Sequence, residues 1–396
     1  MRRQQVKSYL NICIGIAAGP GVIFLLPYAT TAAVYASFTG FLALSQFLAA
    51  FAGGGLEIAV ARRRANLGSA IAALVIVQAV VAVGEVALGS AVAAKELILA
   101  VGAAATANLV VIIQLYLLFS GDTSRYAQLS IIRASLMITA VVLSRIFGLS
   151  LVLGWFAAGV AASMVAVAFY RLFVKEAKKS SILVESINLI KEGMPLHVIT
   201  TSATLPFLLD RLLAHNNFTP QFFAKYMVAT SWALPMVYIG NAVQQYVTAK
   251  ARITSTRQLI RVMRSLLVAQ SLYCLAVAAL LHVYTPPFFS NWGDFQAIWK
   301  YIILWQLPYC AIAFPLSSII QAQMRAGDIL NLMFWVAGFL TTFYVLYMVT
   351  LKLGYVINSP AHLAIISLAE VILIVLPKIV VAWRFLGKSG INPAAI

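Results

Sequence analysis

Apolar stretches long enough to cross a membrane recur along almost the whole chain, and short polar breaks separate them. A bilayer core of about 30 Å requires about 20 apolar residues in one helix, so each stretch predicts a transmembrane helix. The twelve predicted spans are residues 9–28, 34–60, 67–93, 97–119, 127–147, 150–173, 194–214, 222–247, 264–285, 297–320, 329–351 and 360–384. This pattern predicts an all-α polytopic membrane protein.

A polar break near the middle of the chain divides the spans into two sets of six. Residues 171–193 read RLFVKEAKKSSILVESINLIKEG. The break predicts an N-terminal six-helix lobe over 1–173, a cytoplasmic linker over 174–193 and a C-terminal six-helix lobe over 194–396. With six spans in each lobe, both lobes start on the same side of the membrane. This layout predicts a parallel pseudo-repeat, with a substrate path between the repeats.

Composition excludes a soluble domain, because 62% of the residues are hydrophobic and only 10% are charged. The formal net charge of +17 comes from basic residues whose positions agree with the predicted topology. Of the 28 Lys and Arg, 21 fall on the face that carries both termini, counting Arg125 and Arg133 after span four, and six fall on the opposite face. The positive-inside rule therefore predicts cytoplasmic termini, and the charge needs no nucleic-acid partner.

The breaks between spans predict no enzyme activity. The longest predicted outer loop, TPPFFSNWGDF, is too short for an extracytoplasmic catalytic domain. The three cysteines fall inside predicted spans and show neither a disulfide framework nor a metal-ligand spacing. We therefore expect no metal site and no cofactor.

Gly19, Pro20 and Gly21 interrupt the first predicted span. Proline removes a helical hydrogen bond and the glycines loosen the backbone around it, so we expect a kink there. We predict that this kink helps to gate a lateral opening toward the lipid.

The chain resembles polysaccharide flippases of the Wzx type, in the superfamily that also contains the MATE drug exporters and the lipid II flippases. The resemblance rests on Tyr35, Gln46, Gly55, Leu56, Arg62, Pro195, Asp210, Arg211 and Tyr226, together with the inner turns FSGDTSR and AQMRAGD. It implies twelve helices in two lobes, a central cavity and alternating access.

The resemblance also implies a cargo, which is an undecaprenyl-diphosphate-linked oligosaccharide moved from the inner to the outer leaflet. The expected location is the bacterial cytoplasmic (inner) membrane, in O-antigen (lipopolysaccharide), capsule or exopolysaccharide assembly. The expected partners are this lipid-linked cargo, membrane lipid and other polysaccharide assembly proteins.

Polar residues inside several predicted spans recur at helical spacing and so share one face of their helix. Because polar side chains are costly in lipid, such a face is expected to meet a cavity or another helix. The candidates for cavity lining are Gln46 in span two, Thr204 in span seven, and Asn241 and Gln244 in span eight. The alternative for each of them is a hydrogen bond to a neighbouring helix.

A diphosphate cargo requires positive charge in the cavity, and Arg binds phosphate oxygens with bidentate geometry. Arg145 and Arg211 are the candidates toward the outside, and Arg62 and Arg133 are the candidates toward the cytoplasm. The alternatives are an orientation charge for Arg62 and a structural ion pair for Arg211.

Energy for transport is expected from an ion gradient, because the chain has no GxxxxGK[ST] loop for binding nucleotide phosphates. A carboxylate that binds H⁺ or Na⁺ inside the membrane would couple that gradient to the change of access. The candidates are Glu57, Glu85, Asp210 and Glu370. The alternative for Glu370 is a structural pair with Lys378, two helical turns further along.

Two other functions fit parts of the pattern. A cation-coupled multidrug exporter of the same superfamily would need an acidic cavity for cationic cargo. A membrane-embedded glycan polymerase or ligase would need a large outer loop. The excess of basic residues and the short outer loops make both less favoured than the flippase.

Overall fold

The computed structural model describes residues 7, 10–14, 26–27, 30–53, 55–63, 65–87, 94–173, 181–249, 253, 255–283, 295–323, 326–352, 357 and 359–389. Within these ranges almost every residue is helical and none is in a strand. The helices, labelled α1 to α12 in chain order, are Ala32–Gly53, Leu56–Arg63, Leu67–Ala87, Ala94–Phe119, Thr123–Ile146, Leu151–Phe173, Ile182–Asn217, Pro220–Ala249, Thr256–Val283, Phe295–Gln323, Ala326–Lys352 and Pro360–Ser389.

Seven of the described helices are long and apolar enough to cross a membrane. They lie over Ala32–Gly53, Lys95–Phe119, Thr123–Ile146, Leu151–Phe173, Thr256–Leu280, Ala297–Gln321 and Pro360–Leu386. Shorter apolar helices cover Leu67–Val83 and Ile329–Val345. The predicted class, an all-α polytopic membrane protein, is confirmed.

The chain forms two compact units. The first contains Met1–Ala29 and Ser37–Thr204, and the second contains Thr30–Ala36 and Leu205–Ile396. The division falls inside α1 and inside α7, and both helices continue through it without a break. Residues 182–193 of the predicted linker are the first three turns of α7.

Small residues bring α4 and α6 together in the first unit. A methyl group added at Gly102 would lie 2.7 Å from a ring carbon of Phe156, and one added at Gly159 would lie 2.8 Å from Oγ1 of Thr106. Ser163 adds a polar contact, because its hydroxyl donates to the Thr106 carbonyl at 3.2 Å. Close approach of this kind is typical of helices that pack within a membrane.

The start of α7 is fixed to the α2–α3 region by polar contacts within the first unit. The Ser186 hydroxyl donates to the Ser69 carbonyl at 2.9 Å, and the Ser69 hydroxyl donates to Glu185 at 2.7 Å. Arg63 forms an ion pair with Glu192. This part of the predicted linker is therefore docked against the helices of the first unit.

Predicted span two, residues 34–60, is divided into two helices, and in this respect the prediction was wrong. α1 ends at Gly53 and α2 begins at Leu56. The physical reason is close backbone contact with α7, since a methyl group added at Gly55 would lie 2.1 Å from the Gly193 carbonyl oxygen. Thr201 of α7 donates to the Ala50 carbonyl in the last turn of α1 at 3.0 Å.

The second unit has a core built mainly from α8, α10 and α12. A methyl group added at Gly240 of α8 would lie 2.4 Å from Cδ2 of Phe314 in α10, so only glycine permits this approach. Phe207 packs on Trp305 and Tyr309, with ring centroids 5.1 Å and 5.3 Å apart. Residues from α12 complete the same cluster.

Arg133 lies within predicted span 127–147 and within the observed helix α5, although the charge count had assigned it to the face that carries both termini. It is ten residues after Thr123, the first residue of α5, and thirteen before Ile146, the last. At a rise of about 1.5 Å per residue, its Cα is about 15 Å from one end of the helix. The predicted kink at Gly19, Pro20 and Gly21 lies outside the described residues.

Candidate functional site

Among the described residues of the second unit, the most deeply buried acidic group is the Asp210 carboxylate. Asp210 belongs to α7 and is 1% exposed. The Tyr226 hydroxyl of α8 donates to Oδ2, and the Ser367 hydroxyl of α12 donates to Oδ1 at 3.0 Å. Three helices therefore meet at one carboxylate, which has a hydroxyl donor on each oxygen.

A second carboxylate, that of Glu370, lies near the first. Glu370 is 2% exposed and accepts a hydrogen bond from the Tyr344 hydroxyl of α11 at 2.6 Å. It is three residues after Ser367 in α12, so the two side chains share one face of that helix. The charges of Glu370 and Asp210 are close enough to interact.

Positive charge is also present in this region. Arg211 follows Asp210 directly, is 7% exposed and interacts electrostatically with its carboxylate. Lys378 is fully buried in α12. No ion pair joins Lys378 to Glu370 in the described part of the chain, so the alternative that explained Glu370 by this pair is wrong.

Two carboxylates and three hydroxyls form what we call the dicarboxylate centre, defined by Asp210, Glu370, Tyr226, Tyr344 and Ser367. Such oxygen groups suit a proton or a hard cation. Among the described residues, no group of three or more His, Cys, Asp or Glu side chains could hold a metal ion. The two carboxylates of the centre are groups that can gain or lose a proton.

The predicted cavity residues of the second unit lie partly buried along α8. The Gln244 side-chain amide donates to Oε1 of Gln321 in α10 at 3.0 Å. Asn241 accepts from Gln245, one turn further along, at 3.5 Å. Both predicted residues therefore take part in a polar seam between or along helices, and cavity lining by them stays a prediction.

The predicted cavity residues of the first unit are not brought together in one described cluster. Gln46 is partly buried in the middle of α1, whereas Thr204 is exposed and donates to the Thr201 carbonyl of its own helix at 3.1 Å. Arg145 is exposed in the last turn of α5. Their role in a cavity also stays a prediction.

The two other predicted coupling acids belong to the first unit. Glu57 is partly buried in the first turn of α2, where a carboxylate interacts favourably with the helix dipole. Glu85 lies in the last turn of α3, and its side chain is outside the described part. The candidate site with observable geometry is therefore the one at Asp210 and Glu370.

The hydroxyl partners of the carboxylates were not recognised in the sequence. The sequence singles out Tyr226 only as one of the residues of the family resemblance, and it does not single out Tyr344 or Ser367. Ser367 is 157 residues away from Asp210. The one local signal was the spacing of Ser367 and Glu370, which puts two polar groups on one face of an apolar helix.

Comparison by sequence finds no relative. No protein-family model matches the chain, and no curated protein matches it.

Comparison with solved structures finds proteins of similar fold that are described as MATE transporters. The chain is similar to a eukaryotic MATE transporter, AtDTX14, with a TM-score of 0.63 and 13% identity, over 98% of each chain. It is also similar to an outward-facing multidrug resistance MATE family transporter of the MOP superfamily, with a TM-score of 0.57 and 12% identity, over 98% of this chain and 96% of that one. A MATE protein in the bent conformation gives a TM-score of 0.57 at 15% identity, over 99% of this chain and 97% of that one.

These likenesses extend over nearly the full length of each chain, at 12–15% sequence identity. Both units are covered, together with the helices that carry Asp210 and Glu370. The protein is a multi-pass membrane protein with the fold of the MATE transporters.

Proposed function

We propose that the protein is an ion-coupled flippase of the bacterial cytoplasmic membrane. It moves an undecaprenyl-diphosphate-linked oligosaccharide from the inner to the outer leaflet by alternating access, for O-antigen, capsule or exopolysaccharide assembly. Both termini lie in the cytoplasm. The observation that carries the proposal is the dicarboxylate centre, buried inside a bundle with a transporter fold.

Ion coupling is proposed because burying two charged carboxylates inside the helix bundle costs free energy. A charged side chain at the middle of a membrane helix costs about 2.5–3.5 kcal/mol on insertion scales, and the second unit buries two acidic side chains near one another. H⁺ or Na⁺ entering the centre would cancel part of that charge and so favour one access state over the other. An inward movement of one charge at 100 mV supplies about 2.3 kcal/mol.

The charge of the helix interiors favours an anionic cargo. Among the described residues, Arg211 and Lys378 are buried basic side chains, and Arg133 is partly buried in α5. The two acids of the second unit are already bonded to hydroxyl donors. A lipid diphosphate requires basic groups along its path, whereas a cationic drug would require free acidic groups.

The experiment that tests this function is a leaflet assay in proteoliposomes. A fluorescent undecaprenyl-diphosphate oligosaccharide in the inner leaflet is exposed at the outer leaflet only if the protein moves it, and a membrane-impermeant quencher then reports the change. The proposal expects protein-dependent quenching. Absence of quenching at every gradient tested rejects it.

The second candidate function is a cation-coupled multidrug exporter. One observation favours it, which is that a protein of similar fold is described as a multidrug resistance transporter. The same proteoliposomes distinguish the two functions: export of a cationic dye without movement of the lipid-linked oligosaccharide supports the exporter and contradicts the flippase.

A further inference from the structure

Three sulfur-containing side chains from three helices meet in the second unit. They belong to Met236 of α8, Cys274 of α9 and Cys310 of α10. The Cys274 thiol donates to Sδ of Met236 at 3.2 Å. Met236 and Cys310 are fully buried, whereas Cys274 is partly exposed, so the group is open on one side.

Helices α8 and α10 run in the same direction where they pack against each other. A methyl group added at Gly240 of α8 would lie 2.4 Å from Cδ2 of Phe314 in α10. Further along both helices, Gln244 donates to Gln321 at 3.0 Å. Residue numbers therefore rise together on the two sides of this interface.

This direction places Cys310 beside Met236. Met236 is four residues before Gly240, and Cys310 is four residues before Phe314. Residues four apart lie on the same face of a helix, one turn away from each other, so Met236 and Cys310 lie at the same level of the interface. Cys310 also interacts electrostatically with Cys274. The thioether therefore has a thiol on each side.

The group has the ligand chemistry of a soft metal site. Both cysteines carry free thiols, and thiolate and thioether sulfurs prefer soft ions such as Cu(I) to hard cations. A metal–sulfur bond of about 2.3 Å puts the sulfurs of a trigonal site about 4 Å apart. Met236 is flexible because its side chain is unbranched, and its sulfur needs to move less than about 1 Å from the Cys274 thiol to admit an ion.

Charge and ligand number favour a monovalent ion over Zn²⁺. A thiol loses its proton when it binds a metal, and the charge of one thiolate cancels that of one monovalent cation. Exchange of one thiol proton for Cu(I) therefore leaves the net charge of the helix bundle unchanged, and an added charge there would be costly. Structural Zn²⁺ takes four ligands, whereas this group offers three.

We propose that Met236, Cys274 and Cys310 form a binding site for one soft monovalent metal ion, Cu(I). The sequence predicted no metal site, because the three residues are far apart along the chain and only the packing of their helices brings them together. The site depends on neither the cargo nor the ion coupling of the proposed function.

Binding of Cu(I) to the purified full-length protein in detergent tests the site. Cu(I) is supplied without oxygen as its bicinchoninate complex, whose absorbance falls as the protein removes the ion. We expect uptake of a single ion per chain. Cys274→Ser should weaken binding about tenfold or more, because a hard oxygen replaces a soft sulfur. The matched control is Cys13→Ser in the first unit, which should leave the Kd within about twofold of wild type.

A methionine variant keeps the test decisive if Cys274→Ser does not fold. Met236→Leu preserves the size and apolar character of the side chain but removes its sulfur, so it should also weaken binding about tenfold. Its control is Met227→Leu, at another buried methionine of α8, which should again keep the Kd within about twofold.

Four results would overturn the proposal. They are no uptake of Cu(I) by the wild-type protein, unchanged binding in either folded variant of Cys274 or Met236, an equal loss of binding in Cys13→Ser, and an equal loss in Met227→Leu. Zn²⁺ that displaces Cu(I) at equal concentration would overturn the assignment to a soft monovalent ion.

Discussion

At the scale of single residues, Asp210 and Glu370 bring two carboxyl groups into an apolar helix bundle, and hydroxyl groups from other helices hold both of them. Tyr226 and Ser367 donate to Asp210, and Tyr344 donates to Glu370. Leaving a buried carboxylate oxygen without hydrogen-bond donors costs free energy. The hydroxyls therefore fix the position of the carboxylates and also stabilise the bundle.

Removing the hydroxyl of Tyr226 tests this stabilisation. Tyr226→Phe should lower the free energy of unfolding by about 1.5–3 kcal/mol, because a buried carboxylate loses one of its two described donors. Thermal unfolding in detergent measures the change. The matched control is Tyr273→Phe, whose hydroxyl donates to a neutral carbonyl, that of Trp232, at 2.6 Å and should cost only about 0.5–1.5 kcal/mol. Equal losses in the two variants would contradict a special role for the carboxylate.

Glu370 is the residue at which ion coupling is most directly tested. Glu370→Gln keeps the shape of the side chain but removes the group that exchanges a cation, so translocation should lose its dependence on the ion gradient. The measurement compares flux with and without the gradient in proteoliposomes. Glu192→Gln, at an exposed ion pair with Arg63, serves as the control and should keep the dependence. Normal gradient-driven flux in Glu370→Gln would remove Glu370 from the mechanism.

The acids of the site could be predicted from the sequence, but their partners could not. Asp210 and Glu370 can be recognised because acidic residues inside apolar spans are rare, since a charge is costly in the membrane, and they usually have a function. Tyr226, Tyr344 and Ser367 are ordinary residues of membrane helices, and their importance comes from contacts between helices. The same limit explains why the pairing of Glu370 with Lys378, inferred from spacing along one helix, was wrong.

At the scale of helices, the break between α1 and α2 and the docked start of α7 form one arrangement inside the first unit. The backbones cross so closely at Gly55 that no side chain fits beneath the Gly193 carbonyl. Thr201 of α7 also donates to the Ala50 carbonyl in the last turn of α1. The polar face predicted for this helix is, at Thr201, a contact between helices.

The crossing at Gly55 predicts intolerance of even a methyl group. Gly55→Ala should lower the free energy of unfolding by about 1–3 kcal/mol, since the added carbon forces the two backbones apart. Gly338→Ala is the matched control, because no atom lies within 4 Å of the added methyl group, and it should leave stability unchanged or slightly raise it. Thermal unfolding of both variants measures the difference. A stable Gly55→Ala protein would show that the helices do not cross as described.

The ends of a helix were predicted well where the length of its apolar run determines them. They were predicted poorly where a contact with another helix determines them. The apolar runs for α4, α5 and α6 agree with the observed helices to within a few residues. The break at the glycines near residue 54 could not be predicted, because it depends on what α7 places beside them.

At the scale of the whole molecule, the transporter fold was predictable and the cargo was not. The apolar spans indicate an all-α polytopic membrane protein, and likeness to the fold of MATE transporters over nearly the full chain agrees with that class. The cargo depends on contacts between residues that are far apart in sequence. No spacing within a single helix determines it.

Gradient-driven movement of a lipid-linked oligosaccharide is the central claim, and one measurement tests it most directly. The initial rate of outer-leaflet exposure of a fluorescent undecaprenyl-diphosphate oligosaccharide is recorded in proteoliposomes with an imposed ion gradient and again after an ionophore has collapsed it. One charge moved through 100 mV supplies about 2.3 kcal/mol, which permits an accumulation ratio of about 50-fold. The account predicts protein-dependent exposure that rises with the gradient. Exposure that is absent, or identical with and without the gradient, would contradict it.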